Sequence, residues 1–142
     1  MRPGKYKCES RGRYPHMGAE DKLVFDRWLS SLKSCALGID YDVRVGPGVA
    51  VPADTAPDMS RDWQLLTQLR IDAVIYWERV TWLVEVKPRL VPSALGQLLS
   101  YGYWWEREQS EGFPVQLVCM VERTDAQLEP VFLRWGISVV VT

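Results

Sequence analysis

Residues 70–89, RIDAVIYWERVTWLVEVKPR, constrain the chain most. They hold two short apolar runs, 71–77 and 81–87, rich in β-branched and aromatic side chains and too short for helices. Runs this close read as two neighbouring strands. Consecutive apolar residues in each (Val74 and Ile75; Leu83, Val84 and Val86) fit strands buried on both faces. The pair therefore predicts the middle of a sheet that needs helices on its two sides. An even turn at 77–80 sets Ile75 opposite Trp82, Ala73 opposite Val84 and Asp72 opposite Glu85. WERV lacks the usual Asn-Gly or Gly turn signal, and an odd turn would move Asp72 away from Glu85.

The rest of the chain supplies the covering elements. Over residues 18–37, Phe25, Trp28, Leu29, Leu32 and Cys35 or Ala36 recur at three- and four-residue steps, predicting an amphipathic helix that Gly38 stops. YDVRVGPG reads as a strand and turn, and residues 49–62, with Pro52 and Pro57, as a loop in which DWQLLTQ forms a helical turn or a strand. Pro88 and Pro92 end the second strand of the pair, and Ser93 caps a helix running to about Gln109. FPVQLVCMVER is a further core strand, DAQLEPVFLRW a short helix and ISVVVT a last strand. The expected fold class is α/β, a central mixed sheet flanked by helices.

With 142 residues and 47% apolar composition, the chain is long enough for one domain with its own core. Its net charge of −1 excludes a polycation, yet Arg2, Lys5, Lys7, Arg11 and Arg13 face a single Glu9 near the start. The expected organisation is a basic N-terminal arm, residues 1–17, on a single domain, residues 18–142. Cys8, Cys35 and Cys119 are odd in number and form no C-x-x-C pair, which argues against a disulfide framework or zinc site and for a reducing, cytoplasmic setting. No apolar run is long enough for a membrane span. His16 is the sole histidine, which excludes multi-histidine metal sites and argues against a histidine triad, and GPG without Gly-Lys-Ser/Thr is no phosphate loop. YGYWW fits core or oligomer packing better than base stacking.

Against this background the charges in the strand pair stand out. Glu85 and Lys87 are two residues apart and share a face. If Asp72 stands opposite Glu85, two buried like charges need a cation between them. Lys87 compensates in part. A hard divalent cation does so better, since a few carboxylates and waters make a magnesium or manganese site. Such a metal activates water and steadies a leaving oxygen, with a lysine alongside.

Asp72 at the head of one strand, EVK at residues 85–87 in the next, and Gln97 and Tyr101 in QLLSY on the following helix are together similar to the PD-(D/E)xK nuclease superfamily, with the Q-x-x-x-Y arrangement of its RecB-like branch. The similarity covers roughly residues 18–122, by element order and short motifs. VRVGPG and the short length also resemble Holliday-junction resolvases of that superfamily, and LVEVKP resembles transposon end-cleaving nucleases. The family's Pro-Asp is Ile71-Asp72 here, while a literal Pro57-Asp58 lies in the preceding loop.

The resemblance implies a restriction-endonuclease-like αβββαβ core and a Mg2+- or Mn2+-dependent deoxyribonuclease, an endonuclease or an exonuclease, suited to a phage or mobile element and acting in the cytoplasm. It implies that Asp72, Glu85 and the Val86 carbonyl hold the metal, that Lys87 positions water, and that Gln97 and Tyr101 orient the substrate or the catalytic shell. An acid on the first helix, Glu20 or its neighbour Asp21, completes the set. Arg89 and the arm residues Lys5, Lys7, Arg11 and Arg13 are candidates for DNA phosphate contacts. Specificity is expected from dimerisation or a partner protein. The competing expectation is a nuclease-fold protein without chemistry that binds DNA or serves as a subunit of a larger assembly.

Overall fold

The structure, a computed structural model, describes residues 4–34, 36–109 and 113–142. The elements are α1 (Ala19–Ser31), β1 (Gly38–Val45), α2 (Pro57–Thr67), β2 (Leu69–Tyr76), β3 (Thr81–Arg89), α3 (Pro92–Glu108), β4 (Val115–Arg123), α4 (Glu129–Arg134) and β5 (Ile137–Val141). The five strands form one sheet in the order β1-β2-β3-β4-β5. β2 runs antiparallel to both β1 and β3, while β4 lies parallel to β3 and β5 parallel to β4. The fold class is therefore the expected α/β one, a mixed sheet flanked by helices.

Each face of the sheet carries its own core. On one side α1 lays Val24, Phe25 and Trp28 against Ala73, Ile75, Val84, Val86, Val118 and Met120. On the other, α3 places Ala94, Leu98, Tyr101 and Trp105 over Val74, Leu83, Cys119 and Val121, joined by Phe132 of α4. Positions 94, 98, 101 and 105 follow the steps of four, three and four that keep residues on one helix face. In YGYWW, Tyr101 and Trp105 are thus core residues, whereas Tyr103 is exposed with Arg107 stacked on its ring.

Several local expectations are corrected. Helix α1 ends at Ser31, and Gly38 opens β1 instead of stopping the helix; a side chain at Gly38 would overlap the Gly4 backbone that crosses it. Cys35 lies outside the described residues. The loop expected over residues 49–62 contains most of an eleven-residue helix, α2, which Pro57 starts at a position where its missing N–H costs nothing. Pro88 does not end β3, which runs on to Arg89. The ladder with β2 stops at Ala73 and Val84, so proline interrupts no pairing on that side. Ser93 does not cap α3; Val91 is the N-cap and Pro92 the first helical residue.

The basic segment is docked on the body over its described part. Tyr6 bridges Ile39 at the β1 edge, the Lys5 amide donates to Asp40, and Tyr14 is buried with its hydroxyl on Asp26. Arg11 stacks over the Tyr6 ring. His16 sits exposed in this segment, in the left-handed backbone region. Among the described residues no helix is long and apolar enough to cross a membrane.

Candidate functional site

The turn after β2 is the even one, pairing Ile75 with Trp82 and Ala73 with Val84. Continued one step, that register brings Asp72 to Glu85. The backbone ladder has already ended there, and the Asp72 carboxylate takes its place by accepting the Val86 N–H at 2.8 Å. A strand residue's carbonyl leaves on the same edge as its N–H, so the Val86 oxygen opens into the gap beside Asp72.

Both acids are almost fully enclosed, at 3% exposure each. Burial first, and then the hydrogen bond and charge of Glu85, push the Asp72 pKa up to about 9, against the pull of the Val86 N–H. At neutral pH the pair holds a proton that Asp72 would not keep in water. From α3, the Tyr101 hydroxyl lies 2.8 Å from Glu85 Oε2 and 3.0 Å from the Arg70 carbonyl. Burial and then the Glu85 charge raise the Tyr101 pKa, so it stays a neutral donor. One turn earlier on α3, Gln97 Oε1 is buried without a hydrogen-bond partner. Cys119, the β4 register partner of Glu85, is pushed up to about 12 by burial and then by the Glu85 charge, and is an inert thiol.

Lys87 is half-buried two residues beyond Glu85, and its charge acts on Asp21. Of the two acids in the first turn of α1, Asp21 is the one within the field of Glu85, Lys87 and Asp72. Burial outweighs the other influences and raises its pKa. Glu20 is exposed and turns to an adjoining cleft of about 440 Å3, shared with Leu23, Pro88, Arg89, Glu122 and Arg123. Asp58 is exposed in the first turn of α2, away from the acid pair. Lys5, Lys7 and Arg13 are exposed on the docked N-terminal segment, and Arg11 is half-buried there.

The structure thus gathers Asp72, Glu85, the Val86 backbone and Tyr101, with Lys87 at the margin and Asp21 near enough for its charge to act on the pair. Sequence reasoning missed two features. Arg123 ends β4 as the register partner of Arg89, and both line the cleft; the matching ends VKPR and MVER were the available signal. Asp42 and Arg70 form a two-point ion pair at 2.6 and 2.7 Å, and no sequence pattern marks it.

The donors present suit a hard divalent cation. Two facing carboxyls need neutralising, a carbonyl opens beside them, and the orphaned Gln97 oxygen adds another acceptor within the same helix–sheet layer. Among the described residues no group of three or more His, Cys, Asp or Glu side chains forms a metal-binding cluster, so two carboxylates would need the backbone oxygen and water to fill the shell. The chain matches no family model, no curated protein and no solved structure.

Proposed function

We propose that the chain is a Mg2+- or Mn2+-dependent nuclease of the PD-(D/E)xK type that hydrolyses phosphodiester bonds in DNA. The observation that carries this reading is the facing of Asp72 and Glu85, both buried in the middle of the sheet, with the Asp72 carboxylate beside the Val86 backbone. Support comes as well from the order of elements, α1, β1, β2, β3, α3, β4, with α2 as an insertion. Q-x-x-x-Y reinforces it, because Tyr101 reaches Glu85.

Asp72, Glu85 and the Val86 carbonyl would hold the metal, which supplies Lewis acidity toward a phosphate oxygen and a more acidic bound water. The chain's own groups do the rest. Tyr101 fixes Glu85 by its hydrogen bond to Oε2. Lys87, at the open margin, holds a water for attack and offsets charge developing on phosphate. Gln97 offers its free acceptor to the water shell. Asp21 is the better-placed acid of α1 to receive a proton from that water, since its raised pKa brings it nearer neutrality.

Purified full-length chain should cut DNA with manganese and not with chelator. Glu85→Ala and Lys87→Ala should each remove cutting while the chain stays folded. Full activity in either variant excludes this site as the catalyst. Tight DNA binding without divalent-dependent cutting would favour the non-catalytic reading.

A further inference from the structure

β1 and β2 change faces together at one point. On the α1 side lie Ile39 and Tyr41 of β1 with Ala73 and Ile75 of β2. On the α3 side lie Val43 and Val45 of β1 with Leu69 and Ile71 of β2. Residues two apart, 41 and 43 or 71 and 73, therefore sit on opposite faces, which a regular strand does not allow. The break falls at Asp42 and Asp72. They would be partners between the pairs Tyr41–Ala73 and Val43–Ile71, yet they make no ladder pair, although the register on either side is unshifted.

Asp42 supplies the backbone cause. Its φ is +53°, the left-handed region that side chains other than Gly, Asn and Asp seldom enter. Its carboxylate is gripped by both Nε and Nη2 of Arg70. Arg70 is two residues before Asp72, and its carbonyl lies within hydrogen-bonding distance of the Tyr101 hydroxyl that reaches Glu85. The kink, the fork, Asp72 and Tyr101 are thus one connected piece of structure.

We propose that Asp42 and Arg70 are positioning residues: the left-handed turn at Asp42, locked by the Arg70 fork, opens the sheet at Asp72 and frees its carboxylate to reach the Val86 amide and face Glu85. The arrangement rests on the reading of Asp72 and Glu85 as a divalent-cation site, but its geometric part stands apart from that reading. Closing the kink would return Asp72 to the β1 ladder and draw it away from β3.

The test uses the full chain and two readouts, Mn2+ affinity by calorimetry and the Val86 amide signal by NMR, with a thermal melt to confirm folding. Asp42→Ala, which disfavours the left-handed backbone and removes the fork, should weaken Mn2+ binding by roughly ten- to a hundredfold and shift the Val86 amide upfield. Asp42→Asn tolerates the same backbone but can accept only one of the two Arg70 hydrogen bonds, so both readouts should fall between those of Asp42→Ala and the wild type. If Asp42→Ala does not fold, Arg70→Lys, which keeps the charge and loses the fork, should move the same two readouts. A folded Asp42→Ala or Arg70→Lys chain with Val86 unmoved overturns the proposal, and so does unchanged Mn2+ affinity where the wild type binds. Should the wild type bind no Mn2+, the metal reading fails while the Val86 amide still decides the positioning role.

Discussion

The two faces of the sheet are built on opposite terms. On the α1 face Tyr14, Phe25, Trp28, Tyr41, Trp77 and Trp82 form a connected set of rings at centroid distances of 5.1 to 6.2 Å. Its polar groups are few: the Tyr14 hydroxyl bonds Asp26, and among the described residues Arg11 Nε, the Trp77 indole N–H and the Tyr41 hydroxyl are buried without partners. On the α3 face a comparable apolar layer surrounds two facing carboxyls, a phenol bonded to one of them and an amide oxygen with no partner. One face gains stability from ring contact and area. The other surrenders some of it to keep charge where water cannot reach. A single domain can carry an unfavourable buried site because the opposite face is strongly packed.

The sharpest way to break that contrast is to damage each face in turn. Phe25→Ala, a truncation of a fully buried ring, should lower unfolding stability by about 3–5 kcal/mol in urea titration, because it opens a cavity among side chains that cannot collapse into it. A loss much below that would mean the aromatic face is not the stabilising one.

The acid face should instead show itself in pH. Asp72 is raised from 3.8 to about 9, so the folded chain binds a proton there that the unfolded chain releases. Stability from this group is therefore full below pH 3.8 and is lost as pH rises toward 9. Asp42 works in the opposite sense. The Arg70 hydrogen bond holds its pKa below the usual range, and its contribution is lost as pH falls through that lowered value. Denaturant titrations from about pH 4 to 9 should show the fall, which saturating Mn2+ should flatten and Glu85→Gln should reduce, since burial remains. A profile that is flat before either change would contradict the proton held by the pair.

A smaller effect is expected at Tyr101→Phe. The ring remains as packing, while the hydroxyl that serves Glu85 is lost, so stability should drop by about 1 kcal/mol in the same titration. An equal loss in a Glu85→Ala background would show that the hydroxyl serves the Arg70 carbonyl and not the acid.

Much of the fold could be read from the sequence because periodicity is a local signal. The strand pair and the α1 stripe through Phe25 and Trp28 followed from apolar residues at fixed spacing, while the turn was open between an even and an odd length and is the even one. Helix α2 was legible only in part: it has no buried residue, so no stripe announces it, and its proline was read as a loop signal when it opens a helix. The docking of the N-terminal segment was hidden for a related reason, since five basic residues outweigh the two tyrosines, Tyr6 and Tyr14, that anchor it. At the site, the nearness of Asp72 and Glu85 could be expected from the even register, although the backbone ladder stops one step short of them. The kink at Asp42 could not, because a left-handed aspartate held by an arginine 28 positions away leaves no local pattern.

The account turns on whether the buried acid pair exchanges its proton for a metal. Titrating Mn2+ into the full chain by calorimetry, near neutral pH and in two buffers of different ionisation enthalpy, measures binding and proton release together. The expected result is a saturable site that releases roughly one proton per metal bound and disappears in Glu85→Ala. No binding by the wild type, or equal binding by a folded Glu85→Ala chain, would contradict it.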